Sequence, residues 1–384
     1  MDKFTIVMLG GRGAGKTTLL ASMFNKLSLV GEFDFFLKSD DPESEKELVK
    51  KYQEYAYNRK WLGGSVGVSE WNFTCYAQTK EGRDYPACQF TYLDFAGGKL
   101  TEMAVDGEDN SYFYKKLEEA DTILGILDGK KLHYLMKGES GGETLVSEDL
   151  PLMLPRMQQQ GQNPVHFVIS KWDVLKDEFS LEDIRAKLLA IPQFKNFVQG
   201  RIRKGAPVRL IPVSAVGMGF AELQPDGNMA IKPGAFPNPF QVELPLAYVL
   251  PDKVYAELSK RKNEANRLRN DNNVVGAPTL SLWETMGELL GEGLEFAKGL
   301  IQDLLPSRYR NISKSVIEKM IEVVETGAKQ KREDTVKLAE VLSRQKEESL
   351  EAIKDEATAL DYAIRAFLEI QNSANEKLRL DEGL

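Results

Sequence analysis

Short apolar runs alternate with amphipathic stretches along the first two thirds of the chain. Six of these runs combine aliphatic, β-branched and aromatic residues, which is typical of buried strands. They span residues 4–9, 71–78, 88–93, 122–127, 165–170 and 208–213. Helical patterns separate most of them, so the chain is predicted to have an α/β fold, with a mainly parallel six-stranded sheet and helices on both faces. The second and third runs would form a hairpin that brings Cys75 close to Cys88.

Three segments interrupt this alternation. Residues 42–58 are rich in charge and have helical character, which favours a solvated surface helix over a regulatory one. Residues 221–251 contain six prolines and predict a long irregular loop before a last helix at about 242–262. A polar break at residues 270–278 is typical of a linker.

We therefore predict two domains, residues 1–268 and an α-helical domain over residues 279–384. SLWE at residues 281–284 fits a capping box, and apolar residues at helical spacing follow it. Two more helical patterns cover residues 312–325 and a longer stretch from Asp334. The apolar spacing in this last stretch covers fewer than three heptads, which favours an antiparallel bundle over an extended coiled coil. A partner-binding surface on this bundle stays open.

Composition excludes several functional classes. The chain has 384 residues and a net charge of -8, so nucleic acid is not expected as a partner. With two cysteines and two histidines, a disulfide framework or a zinc site is not expected either, and a reduced, cytoplasmic location is predicted. No basic leader or 18-residue apolar run indicates secretion or membrane spanning. The helix after residue 281 has an acidic polar face, which disfavours an anionic membrane surface.

Residues 10–18, GGRGAGKTT, fit the pattern G-x-x-x-x-G-K-[ST] between a strand and a helix. Such glycines let backbone N–H groups surround phosphate oxygens at the start of a helix. Lys16 would reach the β- and γ-phosphates, and the Thr17 hydroxyl would bind Mg²⁺. A dinucleotide-binding loop needs a G-x-G-x-x-G spacing that this segment misses by one residue. The predicted nucleotide-binding residues of this loop are Gly10, Gly11, Arg12, Gly13, Ala14, Gly15, Lys16, Thr17 and Thr18.

A second motif follows the third apolar run. FTYLDFAGG places Asp94 at the end of the run and Gly97 three positions later, in the pattern D-x-x-G. The carboxylate of Asp94 would hold Mg²⁺ through a water, and the N–H of Gly97 would sense a γ-phosphate. The two motifs together predict a switch that becomes ordered with a nucleoside triphosphate.

Two later strand ends carry candidate residues for base recognition. VHFVISKWD ends in Ser170, Lys171 and Asp173, and RLIPVSAVG contains Ser214 and Ala215. In this order the four motifs resemble those of P-loop GTPases of the translation-factor and Ras-like class, which carry [NT]-K-x-D and S-A. The resemblance covers roughly residues 3–265 and departs from the family at Ser170, where Asn or Thr is usual.

The resemblance implies a role for each of these residues. Asp173 would accept hydrogen bonds from the N1–H and the amine of guanine, the stem of Lys171 would cover the base, and the N–H of Ala215 would meet the guanine oxygen. Adenine has no donors at those positions, so a buried Asp173 would be left unpaired, and the discrimination against adenine is expected to be roughly 10⁴-fold.

The switch and hydrolysis motifs of the family are incomplete. The first switch lacks its Thr, and Ser65 and Ser69 remain as alternatives for it. No Gln follows Gly97, which predicts slow hydrolysis without a partner. Arg12 is a candidate cation for the γ-phosphate, although it is equally compatible with a solvent-facing side chain. The weaker candidates that follow the second motif are Glu102 and Asp106, and the residues directly after Gly97 are Gly98 and Lys99.

The expected function is therefore that of a Mg²⁺-dependent GTP-binding protein and slow GTPase, with Lys16, Arg12 and Gly97 as its catalytic residues. Its helical carboxy-terminal region would report the GTP or GDP state to a protein partner, either an activator or a second GTPase. The chain also resembles, more loosely, bacterial double-GTPase-type proteins of conflict systems. A dynamin-like mechanoenzyme and a non-hydrolysing GTP-bound scaffold stay open. An ATPase would leave SKWD and SAV unexplained.

Overall fold

A seven-stranded, mostly parallel sheet forms the centre of the protein. The computed structural model describes residues 1–31, 33, 35–64, 67–95, 108–271, 309, 312–326, 332–374, 378 and 380. The strands of the sheet are β1 (Asp2–Leu9), β2 (Phe35–Ser39), β3 (Val68–Gln78), β4 (Asp84–Phe95), β5 (Thr122–Asp128), β6 (Val165–Ser170) and β7 (Val208–Pro212). Their order across the sheet is β2-β3-β4-β1-β5-β6-β7.

The prediction of six strands was wrong, because the sheet contains one more strand, β2. Strand β2 lies at the edge of the sheet and pairs antiparallel with β3. Its five residues, FFLKS, are buried at the first three positions and become exposed after them, so the segment has no full alternation to mark it as a strand. The predicted hairpin is confirmed, because β3 pairs antiparallel with β4 and Cys75 lies opposite Cys88. Both cysteines are buried and free.

Helices cover the sheet and connect its strands. Helix α2 confirms the helical character predicted for the insertion at residues 42–58. Asp41 caps the start of this helix, because its side chain accepts from the N–H groups of Glu43 and Ser44. The helices up to strand β7 are α1 (Lys16–Leu27), α2 (Pro42–Ala56), α3 (Glu108–Glu118), α4 (Gly129–Lys137), α5 (Leu150–Gln158), α6 (Leu181–Leu189) and α7 (Pro192–Arg203).

The proline-rich segment is more regular than predicted. Strands β8 (Ala221–Leu223) and β9 (Met229–Ile231) form an antiparallel hairpin inside it. The segment is therefore not one irregular loop. The last helix predicted for the first domain is confirmed as α8 (Leu244–Asp271), which continues through Pro251.

The described carboxy-terminal residues form helices α9 (Lys314–Thr326), α10 (Arg332–Glu351) and α11 (Glu356–Ser373). The longer helical stretch predicted from Asp334 consists of two helices, because α10 ends at Glu351 and α11 begins at Glu356. There the carboxylate of Asp355 accepts from the N–H of Thr358 and caps α11. The helix predicted after residue 281 lies outside the described residues, as does most of the linker that would separate the two domains.

Helix α11 packs directly against the central sheet. The ring of Phe367 lies 5.3 Å from that of Phe35 in β2 and 6.2 Å from that of Phe90 in β4, as measured between ring centroids. Near the end of the chain, the carbonyl of Leu378 accepts from Leu210 and the N–H of Leu380 donates to Val208. These two bonds cover part of the edge of β7, where unpaired backbone groups would otherwise face solvent.

Candidate nucleotide-binding site

The loop between β1 and α1 has the backbone shape that its glycines predict. Gly13 and Gly15 have φ angles of 80° and 83°, in the left-handed region where a side chain is strained. At Gly10 a Cβ atom would lie 2.7 Å from the carbonyl oxygen of Ile126, so the loop passes too close to β5 for a larger residue. At Gly11 a Cβ atom would collide with the carboxylate of Asp149. The glycines are therefore required by the path of the loop.

Lys16 lies at the start of α1, with its side chain folded back over the loop. Its Nζ donates to the carbonyl oxygen of Gly10 at 2.9 Å and to that of Gly11 at 3.4 Å. Burial lowers the pKa of Lys16, while the negative charges of Asp94 and Asp149 act in the opposite direction. The ammonium group is thus held inside the loop, where its charge is little screened by water.

Thr17 and Asp94 meet next to this loop. The Thr17 hydroxyl donates to Oδ2 of Asp94 at 2.6 Å. Burial raises the pKa of Asp94, although the nearby charges of Lys16 and Lys51 and the Thr17 hydrogen bond lower it. The other oxygen, Oδ1, is buried and has no hydrogen-bond partner among the described residues.

This oxygen pair fits a Mg²⁺ ion that is held partly by the protein and partly by phosphate. Mg²⁺ in nucleotide sites takes one or two protein oxygens and completes its shell with water and phosphate oxygens. A hydroxyl and a buried carboxylate oxygen without a partner are suitable donors for such an ion. Within the described part of the chain, no group of three His, Cys, Asp or Glu side chains could hold a metal by itself.

Lys171 connects the base-recognition segment to the phosphate loop. It follows β6 with a φ angle of 52°. Its Nζ donates to the carbonyl oxygen of Gly13 at 2.8 Å and to both carboxylate oxygens of Asp128, at 2.9 and 2.8 Å. Asp128 also caps helix α4 by accepting from the N–H of Lys130. Asp128 was not predicted as a site residue, although an acidic residue at the end of the apolar run TILGILD is a usable signal.

Asp173 and Ser214 are brought together from the ends of β6 and β7. The Ser214 hydroxyl donates to Oδ1 of Asp173 at 2.5 Å and accepts from the N–H of Gly217 at 2.8 Å. Burial raises the pKa of Asp173, against the effects of the Ser214 hydrogen bond and the charge of Lys171. One carboxylate oxygen of Asp173 is thus fixed by the Ser214 hydroxyl.

Ala215 and Ser170, which belong to the same two motifs as Ser214 and Asp173, also form hydrogen bonds that involve backbone carbonyls. The carbonyl of Ala215 accepts from the hydroxyl of Ser22 at 2.6 Å, which fixes the orientation of that peptide. The Ser170 hydroxyl donates to the carbonyl of Leu127 at 3.2 Å. A short hydroxyl side chain therefore serves to join β6 to β5 at the position where the resembled family usually has Asn or Thr.

A cavity of about 200 Å³ joins the phosphate loop to the base-recognition segments. Seven predicted residues line it: Gly13, Gly15, Thr18, Ser170, Lys171, Asp173 and Ala215. The other lining residues were not predicted: Leu19, Trp61, Leu62, Val213, Val216 and Met229. Most of the missed residues are apolar, which is the usual character of a pocket wall around a planar ligand.

Arg12 lies against the segment that precedes β3. A Cβ atom at Gly64 would lie 3.2 Å from Nε of Arg12, so the two chain segments are in contact there. Arg12 is exposed and forms no ion pair with any residue that the structure describes. Ser69 lies in β3 opposite Asp94. The other predicted switch and hydrolysis residues lie outside the described residues: Ser65, Gly97, Gly98, Lys99, Glu102 and Asp106.

Comparisons with known proteins add no family to this geometry. No protein-family model matches the chain, and no curated protein shows significant similarity to it. Within the described ranges, no helix is long and apolar enough to cross a membrane.

Proposed function

We propose that this protein is a Mg²⁺-dependent GTP-binding protein and slow GTPase built on a P-loop GTPase fold. The observation that carries the proposal is the convergence of the phosphate loop and the base-recognition segments on one cavity. Gly13 and Gly15 line it from one side, and Lys171, Asp173 and Ala215 line it from the other. These segments are more than 150 positions apart in sequence, as the 158-residue separation between Lys171 and Gly13 illustrates. The carboxyl ends of parallel strands converge at this edge of the sheet, which is where ligand sites form in open α/β folds.

Guanine is the base that this arrangement favours. The carboxylate oxygen of Asp173 that Ser214 does not contact would be a charged acceptor, and guanine offers two adjacent donors, N1–H and the exocyclic amine. Adenine has no donor at N1, so it would leave a partly buried carboxylate unpaired, which is costly. The N–H of Ala215 would meet the guanine oxygen, and the carbonyl of the same peptide, that of Ser214, is held by the N–H of Phe240 at 2.8 Å.

The phosphates and the metal would occupy the other end of the site. Lys16 and the N–H groups of residues 13–18 would hold the β- and γ-phosphates, and Thr17 and Asp94 would hold Mg²⁺. When bound, the ion would neutralise charge on the phosphate oxygens. Oδ1 of Asp94 supports this assignment, because it is buried without a hydrogen-bond partner among the described residues, which is otherwise unfavourable.

Hydrolysis is expected to be slow without a partner. The residue after Gly97 is Gly98, which has no side chain to position a water molecule. GTPases that do carry a Gln there turn over on the order of 10⁻⁴ s⁻¹ unaided, and an arginine supplied to the γ-phosphate adds about 10⁵-fold. Arg12 is the internal candidate for that cation, and a protein partner is the external one.

A path from the metal site to the carboxy-terminal helices supports a switch role. Asp94 and Phe90 lie on strand β4, about 13 Å apart along the strand. Phe90 packs on Phe367 of helix α11. A change in the position of Asp94 would therefore be transmitted through one rigid strand to the helical region, where a protein partner could bind.

The opposed free thiols of Cys75 and Cys88 fit a reducing, cytoplasmic setting.

A nucleotide-binding panel tests the proposal. Purified protein is titrated with GTP, GDP and ATP, each with Mg²⁺ and with EDTA. We expect GTP to bind roughly 10⁴-fold more tightly than ATP. Lys16→Ala should abolish triphosphate binding, while Lys46→Ala, at a side chain that is 78% exposed, serves as the matched control. Preference for ATP, or unchanged GTP binding by a folded Lys16→Ala variant, would overturn the proposal.

A further inference from the structure

Trp61 and the β8–β9 hairpin meet across the cavity that would hold the base. The indole Nε1 of Trp61 donates to the carbonyl oxygen of Met229 at 2.7 Å, a contact between residues 168 positions apart. Both residues line the cavity together with Asp173. The base-recognition residues therefore have a second, apolar wall, which two separate segments of the chain form together.

The Trp61 ring is held in place by aromatic neighbours. Its centroid lies 6.5 Å from that of Tyr55, with the rings nearly parallel, and 6.1 Å from that of Phe220, edge to face. Arg59 lies over the Phe220 ring at 5.5 Å. Trp61 is nevertheless 39% exposed, so the wall that it forms separates the cavity from solvent.

The hairpin is anchored at its turn as well. Nζ of Lys130 donates to the carbonyl oxygen of Gly227 at 2.9 Å. Lys130 belongs to the first turn of α4, which is capped by Asp128, the residue that holds Lys171. The hairpin is thus held near its turn by two contacts, from Lys130 to Gly227 and from Trp61 to Met229.

We infer that Trp61 and the hairpin (residues 220–231) form a clasp over the nucleobase, and that the opening of this clasp sets the rate of nucleotide release. The inference rests on the proposed function and adds a control on exchange that the four motifs do not supply. In this proposal the base leaves the cavity past this wall, after the indole separates from the carbonyl of Met229. In this arrangement Trp61 is a positioning residue that acts through the hairpin.

The test measures dissociation of a fluorescent GDP analogue, chased with excess GDP, from the full chain. Trp61→Phe keeps most of the ring area and removes the N–H donor, so the rate should rise roughly 2- to 13-fold, as expected for one hydrogen bond. Lys130→Met should raise it in the same direction by loosening the turn. Both changes open one clasp. The dissociation rate of the double variant should therefore rise by less than the product of the two single increases.

Trp71→Phe is the matched control. Trp71 is buried in β3, and its indole nitrogen has no partner among the described residues, so this variant should dissociate at the wild-type rate. Nucleotide addition should also change the tryptophan emission of the wild type and of Trp71→Phe, but much less that of Trp61→Phe. Thermal unfolding checks that each variant is folded.

The outcomes separate the two hypotheses. If wild type binds guanine nucleotide and both Trp61→Phe and Lys130→Met release it at the wild-type rate, the clasp is refuted and the proposed function stands. Fully multiplicative effects in the double variant would also refute a single clasp. If wild type binds no guanine nucleotide, the proposed function fails and the clasp fails with it.

Discussion

Replacing Asp173 by asparagine should exchange the base preference of the site. The Ser214 hydroxyl accepts from the N–H of Gly217 and donates its own hydrogen to Oδ1 of Asp173. In Asp173→Asn the side-chain oxygen must keep this position, because an amide nitrogen cannot accept that hydrogen. The amide NH₂ group then takes the place of the oxygen that would face the base. The geometry therefore fixes the direction of the change.

The magnitude follows from the charge and the burial of this carboxylate. A hydrogen bond to a charged group contributes about 1.5 to 3 kcal/mol, and the variant replaces it with a contact between donors. At about 1.4 kcal/mol per factor of ten, GTP affinity should fall roughly ten- to a hundredfold. Xanthosine triphosphate has a carbonyl where guanine has its amine, so its affinity should rise by a comparable factor.

The assay compares wild type and Asp173→Asn by titration with GTP, ATP and xanthosine triphosphate in the presence and absence of Mg²⁺. Asp177→Asn, the same substitution at an exposed neighbour, is the control and should change nothing. The Mg²⁺ dependence should persist in Asp173→Asn because the phosphate loop is untouched. A variant that loses GTP without gaining xanthosine triphosphate would contradict the orientation argued from Ser214. A variant with no shift between bases would refute base recognition by Asp173.

Three further predictions concern the phosphate end and the core. Thr17→Ala should weaken binding in Mg²⁺ but not in EDTA; equal loss in both would exclude a metal ligand. Arg12→Ala should slow single-turnover GTP hydrolysis without changing GTP affinity, and an unchanged rate would leave Arg12 without a catalytic role. Asp252→Ala should lower the free energy of unfolding by about 3 to 5 kcal/mol in urea at pH 7, because the buried Arg209 guanidinium, 2.6 Å away, loses this carboxylate. The pKa of Asp252 is lowered in the fold. Its contribution to the free energy of unfolding is therefore present above pH 3.8, the ordinary pKa of an aspartate, and shrinks as pH falls below that value. A difference in the free energy of unfolding between wild type and variant that stayed constant down to pH 3 would contradict the ion pair.

The fold was predictable wherever hydrophobic pattern and length agreed. Strand β6 begins and ends where the apolar run VHFVIS does, because a strand buried on both faces needs an uninterrupted apolar sequence. Strand β2 was missed because FFLKS is short and only its first half is buried. The break before α11 was missed because the apolar spacing continues across it. Asp355 caps a new helix there. An Asp before a helical pattern is a signal for a helix start, but the continuous apolar spacing favoured a single helical stretch.

The residues of the candidate site were also predictable only in part. Residues at the ends of parallel strands could be predicted to meet, because those ends converge on one edge of the sheet and loops there form ligand sites. Asp94, Lys171, Asp173 and Ser214 all lie at or just after the ends of such strands. Asp128 does so as well, because it pairs in register with Ser170 at the end of the neighbouring strand. Asp128 was missed because its position matches no motif, and its partner is identified only by the fold.

The wall formed by Trp61 could not be predicted for a different physical reason. Its partner is the backbone carbonyl of residue 229, so the Met229 side chain gives no signal for the contact. What the sequence does contain is the turn signal Pro-Asp-Gly at residues 225–227, and in the structure the N–H of Gly227 closes that turn on Gln224. A hairpin was therefore predictable, whereas the segment that it would meet was not. Contacts made through the backbone depend on the path of the chain, so a residue such as Trp61 acquires its role only from the folded arrangement of the whole domain.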